Sequence, residues 1–246
     1  FVADVGHELR TPLTVIKGYL GMLRGHPTMQ ENDPMLQAVD GVMQGTNRLH
    51  QIVNSMLDVT RLENQVLKPH LESTPIAPML RLIQKEYQKD LEIRNISLEL
   101  DDSISDIPPL MVDSELFQKA LDNVIVNAIK FTPDNGSVTV NISSEKDDRL
   151  GECAEIRIQD TGIGIDPANL DIIFEKLYQL GTVELHSSGR TTFKGGGPGL
   201  GLAIAAGIIK AHNGRIWAES PGHDEATLPG STFLIRMPLP KDETDA

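Results

Sequence analysis

Apolar residues at Val2, Val5, Leu9, Leu13, Ile16, Leu20 and Leu23 recur at steps of three or four, which gathers them on one side of an α-helix. The pattern predicts a first helix from near Phe1 to about Arg24, ended by Gly25-His26-Pro27. A second begins after Asp33-Pro34, a capping residue followed by one whose fixed φ suits a first helical turn. Its positions Val39, Val42, Thr46, Leu49, Val53, Met56 and Thr60 repeat the same steps, and Leu36, Met43, Ile52, Leu57 and Leu62 widen the stripe. Two such helices joined by a short loop form a hairpin whose apolar faces are too wide to satisfy each other. Pairing with a second copy into a dimeric four-helix bundle is the expected outcome.

Turn-forming residues from Lys68-Pro69 through Pro75 and Pro78 separate this unit, residues 1–68, from the remainder of the chain. Beyond them the patterns mix. Helices are predicted over 76–93, 114–131 (led by Asp113) and 199–211, and strands over 96–100, 137–143, 155–159, 215–218 and 232–237. The mixture predicts an α/β sandwich over 69–240, with helices on one face of a mixed sheet, and an α+β chain overall. Residues 241–246 form a polar tail expected to fray.

Composition narrows the partners. A chain of 246 residues permits two domains, and 39% hydrophobic residues suffice for an ordinary core. The net charge of −13 argues against a nucleic-acid surface and against adsorption to anionic membranes. Cys153 stands alone, so there is no disulfide framework, and a reducing cytoplasm is the expected location. No apolar run has the length to cross a bilayer, and no signal peptide is visible. The chain opens inside a helical pattern without an initiating Met, which reads as an excised fragment of a longer protein, with whatever lay upstream, any sensor or membrane anchor included, missing.

Within the first helix, Gly6-His7-Glu8-Leu9-Arg10-Thr11-Pro12 carries candidate chemistry. His7 falls between the stripe positions Val5 and Leu9, so its imidazole faces solvent or a docked domain; taken alone, such a histidine is ordinarily a solvated surface group. Glu8 can take the proton from one ring nitrogen while the other attacks. Thr11 lies one turn after His7, on the same face, where a zinc motif H-E-x-x-H would require a second histidine. Pro12 removes a backbone donor and is expected to kink or loosen the helix.

Three further stretches suit a nucleotide. Asn123 and Asn127 lie one turn apart with Lys130 beyond, a face that could hold Mg²⁺ by an amide oxygen and neutralise phosphate charge, although paired asparagines are more often polar surface or caps. Asp160-Thr161-Gly162-Ile163-Gly164 sets a carboxylate at a strand end before a glycine turn. A buried carboxylate accepts from the exocyclic amine of adenine and repels the keto oxygen of guanine; a plain turn is the simpler reading of the pattern. Gly195-Gly196-Gly197-Pro198-Gly199-Leu200-Gly201 precedes an apolar helix, so backbone N–H groups and a helix start can approach phosphates. Neither G-x-G-x-x-G nor G-K-[ST] is present. Between the glycine motifs lie Ile173-Phe174-Glu175-Lys176 and a polar run from Gly181 to Lys194, which reads as a mobile lid or an ordinary surface loop.

The His7 stretch resembles the S-H-E-L-R-T-P phosphoacceptor box of sensor histidine kinases, with Gly6 in place of serine. In order, the later stretches resemble the N, G1, F and G2 boxes of that family's ATP-binding domain, whose fold is shared with gyrase, Hsp90 and MutL. The resemblance implies a catalytic core that uses ATP and Mg²⁺, phosphorylates itself on His7 and passes the phosphoryl group to an aspartate of a response-regulator receiver domain. It makes Asn127 the Mg²⁺ ligand, Asp160 the adenine reader and Lys130 a phosphate or lid contact. Asn123, Phe174, Lys176 and Leu200 line the same site, and Gly162, Gly164, Gly197, Gly199 and Gly201 form a backbone cradle. Thr11 would orient a water in dephosphorylation of the regulator, which would dock near Thr14, Lys17, Gly18 and Gly21. ATPase relatives have a glutamate where Asn123 stands, and Asn123 cannot act as a general base, so slow hydrolysis is expected. Pro198 replaces the usual serine or threonine, and with Gly6 it leaves one rival reading, a non-catalytic dimeric ATP-binding scaffold.

Overall fold

The computed structural model describes residues 2–27, 33–63, 68–175, 191–195 and 199–240, with side chains for all of these except 2–11, 33 and 63. Helices α1 (Val2–Arg24) and α2 (Asp33–Glu63) form the expected hairpin, and α1 continues past Pro12. Leu13, Val53 and Leu57 make a small shared core, with Leu20 and Val39 also buried. The apolar surface left over is large. Val15, Ile16, Leu23, Val42, Leu49 and Met56 are exposed on the single chain, Tyr19 at 65% and Met22 at 73%.

After the junction come β1 (Glu72–Thr74), α3 (Ile76–Arg94), β2 (Ser97–Leu100), β3 (Leu110–Val112) and α4 (Ser114–Phe131). They are followed by β4 (Ser137–Asp147), β5 (Gly151–Asp160), α5 (Gly201–Ala211), β6 (Arg215–Glu219) and β7 (Ser231–Pro238). The main sheet has the order β2-β4-β5-β7-β6, with β2 and β4 parallel and the other neighbours antiparallel. Alternate residues Val138, Val140 and Ile142 of β4, Ile156 and Ile158 of β5, and Phe233, Ile235 and Met237 of β7 point to one face. There they join one core with Ile83, Phe117, Leu121, Ile125, Ile204 and Ile208 from α3, α4 and α5.

Local chemistry explains the element ends. Asn95 takes a left-handed φ of 50° and ends α3, a conformation asparagine tolerates better than most residues. Gly199 has φ of 67°, so α5 starts at Gly201, two residues later than the sequence predicts. Two strands were not expected. The antiparallel pair β1–β3 has three-residue strands, too short to display alternation. Strands β4 and β5 also run on to a hairpin end at the Asp147–Gly151 pair, through Glu145 and Lys146, where polar residues hide the period.

Asp113 knots this half together. Its carboxylate caps α4 by accepting from the Leu116 N–H at 3.1 Å and also accepts from the His70 N–H of the junction at 2.9 Å. Its own N–H donates to Nε2 of buried His212 at 3.0 Å, while Nδ1 of that ring faces the Ile208 carbonyl oxygen at 2.8 Å, which places the ring proton on Nδ1. The hairpin meets this body through α2. Asp58 forms an ion pair with Lys119, Val59 enters the main core, and a Cβ on Gly207 would lie only 2.7 Å from Cδ1 of Leu62. Asp113→Ala removes the cap and the junction contact together; urea titration is expected to give a loss of about 1–2 kcal/mol, and an unchanged midpoint would contradict this reading of Asp113.

Candidate functional site

Helix α4 is buried along Phe117, Ala120, Leu121, Val124, Ile125, Ala128 and Ile129, which fixes its rotation on the sheet. Asn123, Asn127 and Lys130 therefore lie together on the other side, half-buried. Nδ2 of Asn123 is buried and has no hydrogen-bond partner among the described residues, an arrangement that a bound polar group would complete. The start of α5 lies over this amide: a Cβ on Gly201 would sit 3.4 Å from Asn123 Oδ1. No described side chain caps α5, so its first-turn N–H groups are available to a ligand, and Leu200 before it is buried.

At the end of β5, Asp160 is 4% exposed. Its Oδ1 accepts from the N–H of Gly162 at 2.8 Å and of Ser231 at 3.2 Å. Burial outweighs these hydrogen bonds and pushes the carboxyl up to about 6. The glycine turn after it is sterically required. A Cβ on Gly162 would meet the Phe131 carbonyl oxygen at 2.3 Å, which joins the turn to the end of α4. Gly164, at φ of 72°, would place a Cβ 2.0 Å from the Gly222 carbonyl oxygen. The 220–230 loop closes the far side, with the Gly230 N–H donating to the Gly162 carbonyl oxygen at 2.9 Å. Phe174, at the end of a 3₁₀ turn (Ile172–Phe174), packs against the main core rather than standing free.

Lys130 closes the α4 end. Burial holds its ammonium below the usual range, and the charge of Arg48 on α2 adds to the effect. Both cations are half-buried, with the Lys130 ammonium 5.0 Å from the centre of the Phe131 ring, and an anion between or beside them would offset their burial. Residues 191–195 form a strap here, its Lys194 N–H donating to the Lys130 carbonyl oxygen at 3.0 Å and its Lys194 ammonium pairing with Glu225 of the 220–230 loop.

The structure thus brings together Asn123, Asn127, Lys130, Asp160, Gly162, Gly164, Leu200 and Gly201 around the exposed side and ends of α4, with Gly199 beside them. Lys176, Gly197, Pro198 and the 181–190 part of the predicted lid lie outside the described residues, as do the 28–32 loop and the 241–246 tail. His7, Glu8 and Thr11 fall on α1, and their side chains lie outside the described ones.

Residues 112–241, more than half of the chain, match the family described as histidine kinase-, DNA gyrase B- and HSP90-like ATPase. The chain belongs to that family. Residues 1–65 match the His Kinase A (phospho-acceptor) domain, so both domains of a histidine kinase follow one another here. Sensor histidine kinase WalK of Bacillus subtilis (strain 168) is 29% identical over 250 residues, covering 100% of this chain and 37% of the relative. Sensor protein kinase WalK of Staphylococcus aureus is 33% identical over 242 residues, covering 97% and 53%. The chain spans about half or less of the length of these relatives. Among solved structures, full-length ShkA in complex with AMPPNP is 25% identical with a TM-score of 0.73, covering 96% of this chain and 45% of that one. Acinetobacter baumannii histidine kinase AdeS, at 23% identity, shares the fold with a TM-score of 0.59 over 95% of this chain and 98% of that one.

This histidine-kinase-type ATPase domain carries site-lining residues that motif reading passed over. The carbonyl of Phe131, the N–H of Ser231 and the glycine at 230 all shape the Asp160 pocket. Gly230, with φ of 73° and a would-be Cβ 2.3 Å from the Asp160 carbonyl oxygen, could have been flagged as the turn before a strand.

The raised Asp160 carboxyl has a signed consequence. Between pH about 4 and 6 the native state holds a proton that the unfolded chain has released, so the stability from this proton is present below that window and lost as pH rises through it. Asp160→Asn keeps an acceptor for both N–H groups without the charge. Compared by urea titration at pH 4 and pH 7.5, the variant is expected to gain about 2–3 kcal/mol on the wild type as pH rises; a difference that does not change with pH would contradict the assignment.

Proposed function

We propose that this chain is the catalytic core of a sensor histidine kinase. In this reading the hairpin 1–68 dimerises and carries the phosphoacceptor His7, and residues 69–240 bind ATP. The observation that carries it is the sandwiching of one helix. The polar face of α4 lies between a buried carboxylate that accepts hydrogen bonds, at Asp160, and an uncapped helix start, at Gly201. That arrangement suits adenine at one end and phosphates at the other. The amine of adenine donates to Asp160 and to no keto competitor, which selects ATP over GTP.

The residues fit a magnesium-bound triphosphate. Among the described residues no three His, Cys, Asp or Glu side chains gather to hold a metal, so the cation would share its ligands between the Asn127 oxygen and the phosphates. When bound, Mg²⁺ supplies charge neutralisation. Asn123 completes its unpaired amide on the phosphate chain, and Lys130 and the α5 N–H groups face the remaining charge. Gly199 and Gly201 allow backbone approach, and the motif order assigns Phe174, Lys176 and Gly197 to the same site.

For transfer, the ATP domain moves onto α1 and sets the γ-phosphorus in line with one nitrogen of neutral His7. The N–P bond forms as the bond to the β–γ bridging oxygen breaks, ADP leaves, and Glu8 takes the proton from the other ring nitrogen. The phosphoryl group then passes to an aspartate of a response-regulator receiver domain docked on α1 around Thr14, Lys17, Gly18 and Gly21. Thr11 orients water when the same surface removes phosphate from the regulator. Asn123 in place of a carboxylate base keeps wasteful hydrolysis slow. No described helix is long and apolar enough to cross a membrane. In the two-component reading this segment works in the cytoplasm, where a receiver domain can reach it.

Dimerisation is supported by the row of exposed apolar side chains on α1 and α2, which a second hairpin would cover. Sedimentation of the wild type is expected to give a dimer, and of Val42→Glu/Leu49→Glu a monomer; a monomeric wild type at high concentration would overturn this. Incubation with γ-labelled ATP and Mg²⁺ tests the chemistry. Acid-labile, alkali-stable label is expected on the wild type and a loss of at least 100-fold in both His7→Gln and Asn127→Asp. Nucleotide binding with no label would return the chain to the scaffold reading.

A further inference from the structure

The core stripe of α3 steps through Ile76, Leu80, Ile83, Tyr87 and Leu91 and ends, at the next position of the same period, on Arg94. An arginine where the pattern requires an apolar residue is 9% exposed here. Its guanidinium spends its donors on two pieces of chain, residues 129–134 and Thr191. Nε pairs with the Asp134 carboxylate at 2.9 Å, and Nη1 donates to the Ile129 carbonyl oxygen at 2.9 Å and to that of Thr191. Nη2 donates to the Thr132 carbonyl oxygen.

Ile129 and Thr132 belong to the last turn and C-cap of α4, where the Ile129 carbonyl oxygen accepts only a long 3.3 Å bond from the Thr132 N–H and a cation is favoured by the helix dipole. Thr191 is the start of the described strap. Its hydroxyl donates to Asp90 Oδ2 at 2.8 Å, one turn before Arg94 on α3, and the Phe193 ring lies 5.9 Å from the guanidinium. From there the strap bonds the Lys130 carbonyl and reaches Glu225 on the loop that walls Asp160.

We propose that Arg94 is a positioning residue for the nucleotide: it sets the separation between the Lys130 end of α4 and the 191–195 strap, and so the width of the site's mouth. The proposal rests on the nucleotide reading above. A planar fork with five fixed donors can hold two chain segments at once, whereas a lysine ammonium cannot reproduce that geometry. Loss of the fork also leaves buried carbonyls unpaired, so a stability effect alone would not separate the roles.

Calorimetric titration with ADP and Mg²⁺ separates them, because binding stoichiometry reports the folded fraction and the dissociation constant reports site geometry. Arg94→Lys and Arg94→Gln are expected to bind at least tenfold more weakly at near wild-type stoichiometry. Thr191→Val, which cuts only the Asp90 tie at the strap, is expected to bind about threefold more weakly and stands in where the Arg94 variants do not fold. Lowered stoichiometry or melting midpoint with an unchanged dissociation constant in the variants would overturn the proposal and leave the nucleotide reading intact. A wild type that takes up no nucleotide would overturn both.

Discussion

The rotational setting of α4 is the constraint on which the other features depend. Phe117, Leu121, Val124, Ile125, Ala128 and Ile129 are fully buried against the sheet, and each square ångström of apolar surface they remove from water stabilises the fold by about 0.025 kcal/mol. A turn of one residue, about 100°, would drive Asn123 or Asp122 into that core. The apolar face is thus what presents Asn123, Asn127 and Lys130 as a row. It also explains why the helix ends are tied so heavily: Asp113 and His212 at the start, Arg94 at the finish, with Tyr87 donating to Asp122 at 2.6 Å between them.

Asp160 works against this stability. Its carboxyl is held in a place where ionisation is disfavoured, yet nothing in the packing of β5 requires a carboxylate there. An asparagine would accept the same two N–H groups. A group retained at a cost to the fold, beside glycines at 162, 164 and 230 that tolerate no Cβ, marks a surface shaped for something other than the protein itself. The same logic applies to the unpaired Asn123 amide. Stability and binding pull in opposite directions at the middle of α4 and beyond its end, and the sheet supplies the surplus.

Periodicity was sufficient where one face of an element is uniformly apolar. The α1–α2 hairpin, α4 and β7 could be placed from spacing alone, and the motif order named Asn123, Asn127 and Lys130 on one helix and Asp160 at a strand end, which is where these residues fall. What spacing could not reveal are contacts between side chains and backbone groups distant in sequence. Thr161 bonds Ser137 and Ser220 bonds the Gly230 carbonyl, neither of which leaves a periodic trace. β1 and β3 escaped because three-residue strands are stabilised by the pairing itself. Arg94 did leave a signal, a charged residue completing an apolar stripe, and that signal is general: such a residue is buried with partners or the helix ends before it.

The hairpin grips the same helices that carry the site. Asp58 reaches Lys119 near the start of α4, Leu62 fits the notch at Gly207 of α5, and Arg48 lies close enough to weaken the Lys130 ammonium at the far end. Any movement that carries the site toward α1 must release these contacts. Their strength is modest. An ion pair whose lysine side chain is 42% exposed contributes about 1 kcal/mol or less, and withdrawing one leucine from a notch costs about 1–2 kcal/mol. Coupling between sites in proteins is typically about 1–3 kcal/mol. The grip therefore lies within the range that a change elsewhere in the hairpin, or an anion neutralising Lys130 and Arg48, can tip in either direction. A larger residue at 207 would exclude Leu62, whose Cδ1 already lies 2.7 Å from where a Cβ would sit, so glycine there is what lets α2 and α5 approach this closely.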